Sequence, residues 1–313
     1  MSKQSASQKK TNRLPWSEFP KLFKQTFLEY IKESTLMHSA SLAYYTLFAL
    51  LPIMYLGIAV FGQVIGNEAV REVIAHVLKE QVGISDISGI MEFLKTIDIE
   101  KRNIWMEIIG IGALLFACSA FLISLKQSIN EFFNLPELKL PTGKLLLNDL
   151  IFRLFSLLII AAFGVIIVTL FFGETLLMSM GSKLFENETL KYFYSNFLEH
   201  LTSILTSFLI FTFIFKYVHD GSVKWRIAMA GAIVTALLLY LGQLLIKYYL
   251  TNYFFAAEGG IAGTIFVLLA WVYYSAQIIF LGAKFTAVYA EMVGSIIRLK
   301  QLTKAEKEKI IIK

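Results

Sequence analysis

Apolar residues run through this chain in long uncharged blocks, and the blocks decide its class. Six stretches carry no Asp, Glu, Lys or Arg: Ser34–Asn67, Ile108–Leu125, Leu154–Gly173, His200–Phe215, Ile227–Ile246 and Gly259–Ala283. A bilayer's hydrocarbon core is ~30 Å thick, and a helix needs ~20 mostly apolar residues to cross it. Four blocks reach that length. Ile108–Leu125 is slightly short, and His200–Phe215 gains reach because Lys216 can snorkel while Tyr217 and Val218 extend the run. The runs are continuous rather than alternating, which excludes an outer-membrane-type barrel. The pattern predicts an all-α membrane protein with six transmembrane helices, at about 38–61, 106–126, 152–174, 200–218, 227–247 and 261–284.

Shorter patterns lie between and before the spans. Phe19, Leu22, Phe23, Phe27, Tyr30 and Ile31 recur at helical spacing, with Lys21, Lys24 and Lys32 off the stripe. This predicts an N-terminal amphipathic helix over 17–33, opened by Ser17 and carrying Pro20 in its first turn. It either lies on the cytoplasmic membrane surface or packs on the bundle's inner end. Residues 1–16 are polar and predict a disordered tail. Val70, Val73, Ile74, Val77 and Leu78 predict one short outer-face amphipathic helix. Ile87, Ile90, Met91 and Leu94 predict a second, with Gly83 between them and Ser85 or Asp86 as N-cap. Residues 291–313 read as a basic cytoplasmic tail.

Charge sets the orientation. Of the 29 Lys and Arg, 21 fall in the N-terminal segment, residues 126–153, residues 216–226 and the C-terminal segment, and 8 fall in the alternate segments. The positive-inside rule then places both termini and the segments 126–153 and 216–226 in the cytoplasm. The first outer segment, 61–105, holds seven carboxylates. No cleavable signal peptide is evident, since about 35 polar and basic residues precede the first apolar run. The split basic residues suit anionic inner-leaflet lipids rather than nucleic acid.

Candidate chemistry is sparse. His38, His76, His200 and His219 share no helix turn, so no zinc motif exists. There is no Walker A loop and no GxSxG elbow. The reading is therefore no enzyme, no metal and no cofactor. Cys118, the single cysteine, lies in the second span and reads as a small packing residue. No charge lies deep within a predicted span, which argues against an acidic proton relay. The Ser and Thr of span 4 (Thr202, Ser203, Thr206, Ser207) read first as packing groups. Tyr44 and Tyr45, with Pro52 in the first span, and Tyr273 and Gln277 in the sixth, are the expected cavity-lining residues. The structural alternative is a Tyr–Gln hydrogen bond in a dry bundle. Gly57 and Gly263 are expected to let spans 1 and 6 approach. Glu131, Asp149, Arg153 and Lys284 are expected to form a cytoplasmic-end polar cluster, with Arg153 paired to Asp149 and Lys284 near Glu131 or a lipid phosphate. No internal repeat stands out.

Two of these regions resemble a known family. Ala43-Tyr-Tyr-Thr-Leu-Phe-Ala-Leu-Leu-Pro52 is similar to the N-terminal signature of the YihY/BrkB family of bacterial inner-membrane proteins. Gly259-Gly-Ile-Ala-Gly-Thr, Leu269-Ala-Trp-Val-Tyr-Tyr-Ser275 and Leu281-Gly-Ala-Lys-Phe-Thr286 resemble its C-terminal signature. The resemblance implies six spans with both termini inside. It also carries the older labels of a tRNA-processing ribonuclease and a virulence factor. The ribonuclease label finds no ligand set in the cytoplasmic segments. The family commonly has Glu where this chain has Lys284, which puts any acidic coupling role there in doubt. Three functions follow in order: a transporter-like or lipid-handling protein with a cavity among spans 1, 2, 3 and 6; a structural or interaction protein of the envelope; and a membrane-bound nuclease.

Overall fold

The computed structural model describes residues 14–81, 87–96, 104–136, 142–185, 187–253, 260–295 and 297–299. Nine α-helices lie among them: α1 Phe19–Lys32, α2 Thr35–Ile65, α3 Asn67–His76, α4 Ser88–Thr96, α5 Ile104–Phe132, α6 Thr142–Leu184, α7 Glu188–Tyr217, α8 Trp225–Tyr253 and α9 Gly260–Met292. A π-helical turn, Val77–Gln81, extends α3. Two-residue strands β1 (Gly221–Ser222) and β2 (Arg298–Leu299) pair antiparallel. Five helices are long and apolar enough to cross a membrane: α2, α6, α7, α8 and α9. The remaining apolar block forms α5, 29 residues long. Gly83, Ser85 and Asp86 carried expectations that lie outside the described residues, and Gly263 falls within α9, in a stretch whose side-chain surroundings lie outside them too.

The long helices α5 to α9 outrun their apolar blocks, whereas α2 stays within its own. Helical hydrogen bonding continues past a charged residue if that charge finds water or a partner. So α9 runs eight residues beyond Lys284, and α6 ten beyond Glu174. Both residues mark predicted span ends. Both are buried, Lys284 at 1% exposure and Glu174 at 5%. The helices thus continue past buried charges at the ends of the predicted spans.

α1 begins at Phe19 after a 3₁₀ turn at Trp16–Glu18, with Pro20 in the first turn, where its missing N–H costs nothing. Ser17 lies in that turn and is not the cap. Leu22 is fully buried against Phe285 and Val288 of α9, and the Phe23 ring meets Phe285 at 5.4 Å. Phe27, Leu28 and Ile31 stay exposed. α2 continues through Pro52 without a break. Proline there leaves the Phe48 carbonyl without its usual donor.

The tightest packing joins α8 to α9. A Cβ on Gly231 would lie 1.8 Å from Thr286 Oγ1, and one on Gly282 would lie 1.7 Å from Thr235 Oγ1. Thr235 donates its hydroxyl to the Gly231 carbonyl at 2.8 Å, and Thr286 donates to the Gly282 carbonyl at 2.7 Å. The two helices therefore present the same device, Gly231-Ala-Ile-Val-Thr235 and Gly282-Ala-Lys-Phe-Thr286, in antiparallel register. Each threonine spends its proton on its own helix and fills the groove left by the other helix's glycine. Further along, Tyr274 lies over Gly242. Gly57, by contrast, has nothing within 4 Å of where a Cβ would stand, so it marks no close approach.

Candidate functional site

The space beside Gly57 is a cavity. It holds about 270 Å³ and is walled by α2 (Ala43, Thr46, Leu50, Met54), α3 and its π turn (Val70, Val73, Ile74, Val77, Leu78), α6 (Gly164, Ile167, Val168) and α9 (Leu268, Leu269, Trp271, Val272). Every side chain but one is apolar, and the exception, Thr46, gives its proton to the Leu42 carbonyl at 2.7 Å. Leu269 lines the cavity and is 38% exposed, so the space reaches the flank of the bundle.

A second chamber of about 190 Å³ adjoins it, and the two share Val77, Ile167 and Trp271 as lining. This one is largely apolar as well, with Ile210, Phe211 and Leu239 in its wall, but it carries several polar groups. It collects His76 from α3, Phe171 and Glu174 from α6, Thr202, Thr206 and Ser207 from α7, and Gln243 from α8. His76 Nε2 lies 3.8 Å from Glu174 Oε2, and the imidazole edge meets the Phe171 ring at 5.2 Å. Thr206 donates to the Thr202 carbonyl at 2.8 Å, and Ser203 donates to Gln243 Oε1 at 3.1 Å. Each chamber alone is below the ~300–1,000 Å³ of ordinary ligand sites, but joined they fall within it.

The sequence model of the family described as Virulence factor BrkB matches residues 26–307, nearly the whole chain. The chain belongs to the BrkB family. UPF0761 membrane proteins are similar to it: that of Alkalilimnicola ehrlichii is 21% identical over 83% of this chain and 56% of its own length. The one from Chromohalobacter salexigens is 24% identical over 81% of this chain and 59% of its own, and one from Pseudomonas aeruginosa 25% over 78% and 57%. This BrkB chain thus spans under two thirds of the length of those relatives. No solved structure matches it.

None of the five residues expected to line one cavity in this BrkB chain lines the joined chambers. Tyr44 and Tyr45 pack edge to face, with Phe48 against Tyr44, and point outward at 57% and 37% exposure. Gln277 lines a separate cleft of about 350 Å³ at the α1–α2 elbow, with Tyr30 and Glu33. There the Tyr30 hydroxyl donates to the Gln277 backbone carbonyl at 3.1 Å. Burial, with Tyr273 nearby, pushes Tyr30 up to about 12 and keeps it a donor. Tyr273 and Gln277 therefore meet α1 rather than Tyr44 and Tyr45.

The expected polar cluster divides in the same way. Lys284 pairs with Glu33 Oε1 at 3.0 Å, donates to Asn134 Oδ1 at 3.3 Å and sits over the Phe132 ring. It does not pair with Glu131, whose carboxylate is 2.9 Å from His38 Nε2. Lys284 projects from the α9 face opposite the glycine groove, toward the elbow, and Glu33 is the acid in reach. The side chains of Asp149 and Arg153, one turn apart on α6, lie outside the described ones. A third pairing pins α5 to the α7–α8 turn: Asp220 takes Lys126 at 2.9 Å and Asn130 Nδ2 at 2.7 Å, and its N–H donates back to Asn130 Oδ1. The sequence groups these charges by depth in the membrane, whereas the side chains group by helix face.

Proposed function

We propose that this protein handles a membrane lipid or similar amphiphile in the bacterial cytoplasmic membrane, as a transporter-like protein rather than an enzyme. α5 is taken as the span that completes six, with both chain ends on the cytoplasmic side, where the basic flanks meet anionic lipid headgroups. One observation supports the reading: an apolar chamber between α2, α3, α6 and α9 lies beside a second chamber that His76, Glu174 and hydroxyls help to line, with Trp271 in the wall of both. An amphiphile has that same division of polarity. The chambers involve spans 1, 3 and 6, as the sequence suggested, but replace span 2 with α3 and add α7 and α8.

A tightly packed structural role draws support from the Gly–Thr contact of α8 and α9. The four residues of that contact line neither chamber. Native mass spectrometry from mild detergent tests the reading. Lipid adducts should survive on the wild type and be depleted several-fold in Gly57→Leu, whose side chain would enter the apolar chamber without a clash at its Cβ. Equal adduct levels in the two proteins would remove the chamber from the account.

A further inference from the structure

We infer that the polar chamber is a headgroup site for an ammonium, so that the amphiphile is an amine-headed lipid; this rests on the lipid reading above. The chamber offers acceptor atoms, beside donors in the Ser207 hydroxyl and the Gln243 amide. The Glu174 carboxylate is 5% exposed and lies in the chamber wall, ten residues inside the end of α6. Thr206 has committed its proton to the Thr202 carbonyl, so its oxygen offers only lone pairs. His76 is the other ionisable group lining the chamber among the described residues, and its Nε2 is directed at Glu174.

A positive headgroup gains from each of these features. It meets a carboxylate in a site with little water, where a charge-assisted hydrogen bond is strong. Phe171, beside His76, and Trp271, at the boundary with the apolar chamber, bring aromatic rings to the lining, and such faces attract ammonium ions. A phosphate or sulfate placed against Glu174 would be repelled by it. No Lys or Arg lines the chamber among the described residues to offset that repulsion. With the ammonium at Glu174, the chain passes Trp271 and lies between α2, α3 and α6 in the apolar chamber. Glu174 then does two things: it holds the headgroup and it rejects anionic lipids of equal chain length.

The test compares three probes on the intact protein in nonionic detergent by native mass spectrometry: lysophosphatidylethanolamine, lysophosphatidylglycerol of the same chain, and free ethanolamine. The wild type should prefer the ethanolamine lipid by roughly tenfold or more, the worth of one charge-assisted hydrogen bond. Glu174→Gln should abolish the preference, and Gly57→Leu should weaken both lipids alike. The wild-type preference needs no variant, so it stands even if Glu174→Gln folds poorly. Equal binding of both lipids, with Gly57→Leu still weakening them, would overturn the ammonium site and leave the lipid reading intact. Free ethanolamine binding as tightly as its lipid would do the reverse. Binding of no probe would overturn both.

Discussion

Glu33 and Lys284 meet at 3.0 Å although 251 residues separate them in sequence. The pair joins the α1–α2 elbow to α9, and the lysine end is almost wholly buried. Removing one partner of a buried pair costs ~3–5 kcal/mol, because the other charge is left uncompensated. Lys284→Glu should therefore lower the melting temperature of the detergent-solubilised protein strongly. Glu33→Lys with Lys284→Glu should recover much of the loss. A double variant no better than the single one would show that the contact contributes nothing as a pair.

The α8–α9 groove makes a second prediction. A methyl at Gly282 must displace Thr235, whose Cβ as well as its hydroxyl is too near. Gly282→Ala should cost ~1–3 kcal/mol, as overpacking does. Adding Thr235→Gly should return most of that at this site. Full stability in Gly282→Ala alone would mean that the helices separate freely.

Orientation is open to chemical labelling. Glu72→Cys and Asn187→Cys, at exposed outer-side positions, should react with an impermeant thiol reagent in intact cells or spheroplasts. Lys224→Cys should be protected until the membrane is opened. The native Cys118 is buried and should stay silent in all three. The opposite labelling pattern would invert the topology.

The older ribonuclease label can be tested directly. Stringently purified protein should leave tRNA intact in Mg²⁺ or Zn²⁺. Cleavage that co-purifies with the protein and is lost on substituting a single cytoplasmic carboxylate would restore the enzyme reading.

The spans were legible because an uncharged run of ~20 residues matches the thickness of a bilayer and little else. Their ends were not, because a window that stops at Lys284 cannot see a neutralising Glu33 in a distant element. Gly231-Ala-Ile-Val-Thr235 and its counterpart at 282–286 were in plain view. Five residues acquire meaning only when two helices run antiparallel in that register. The chambers were half legible. Thr202, Thr206 and Ser207 read as packing groups, and Thr206 does bond its own helix, yet all three also line the polar chamber. His76 and Glu174 sit on separate helices, and no local pattern joins them. Tyr44 and Tyr45 misled because a hydroxyl in an apolar run need not be buried; here the rings pack together on the outer face of α2.

The length of α6 reaches beyond the site. Its 43 residues make a rod of ~65 Å, twice the ~30 Å of hydrocarbon. Even the steepest ordinary tilt of ~40° cannot hide it. α7 runs back beside it after the Asn187 cap, with Tyr194 laid over Gly181 and its hydroxyl on the Leu177 carbonyl. Proteolysis of sealed, oriented vesicles should show how much of the hairpin stands clear. A rod that outlasts the bilayer leaves part of the α6–α7 hairpin to be held by its own interhelical contacts, with no hydrocarbon against it.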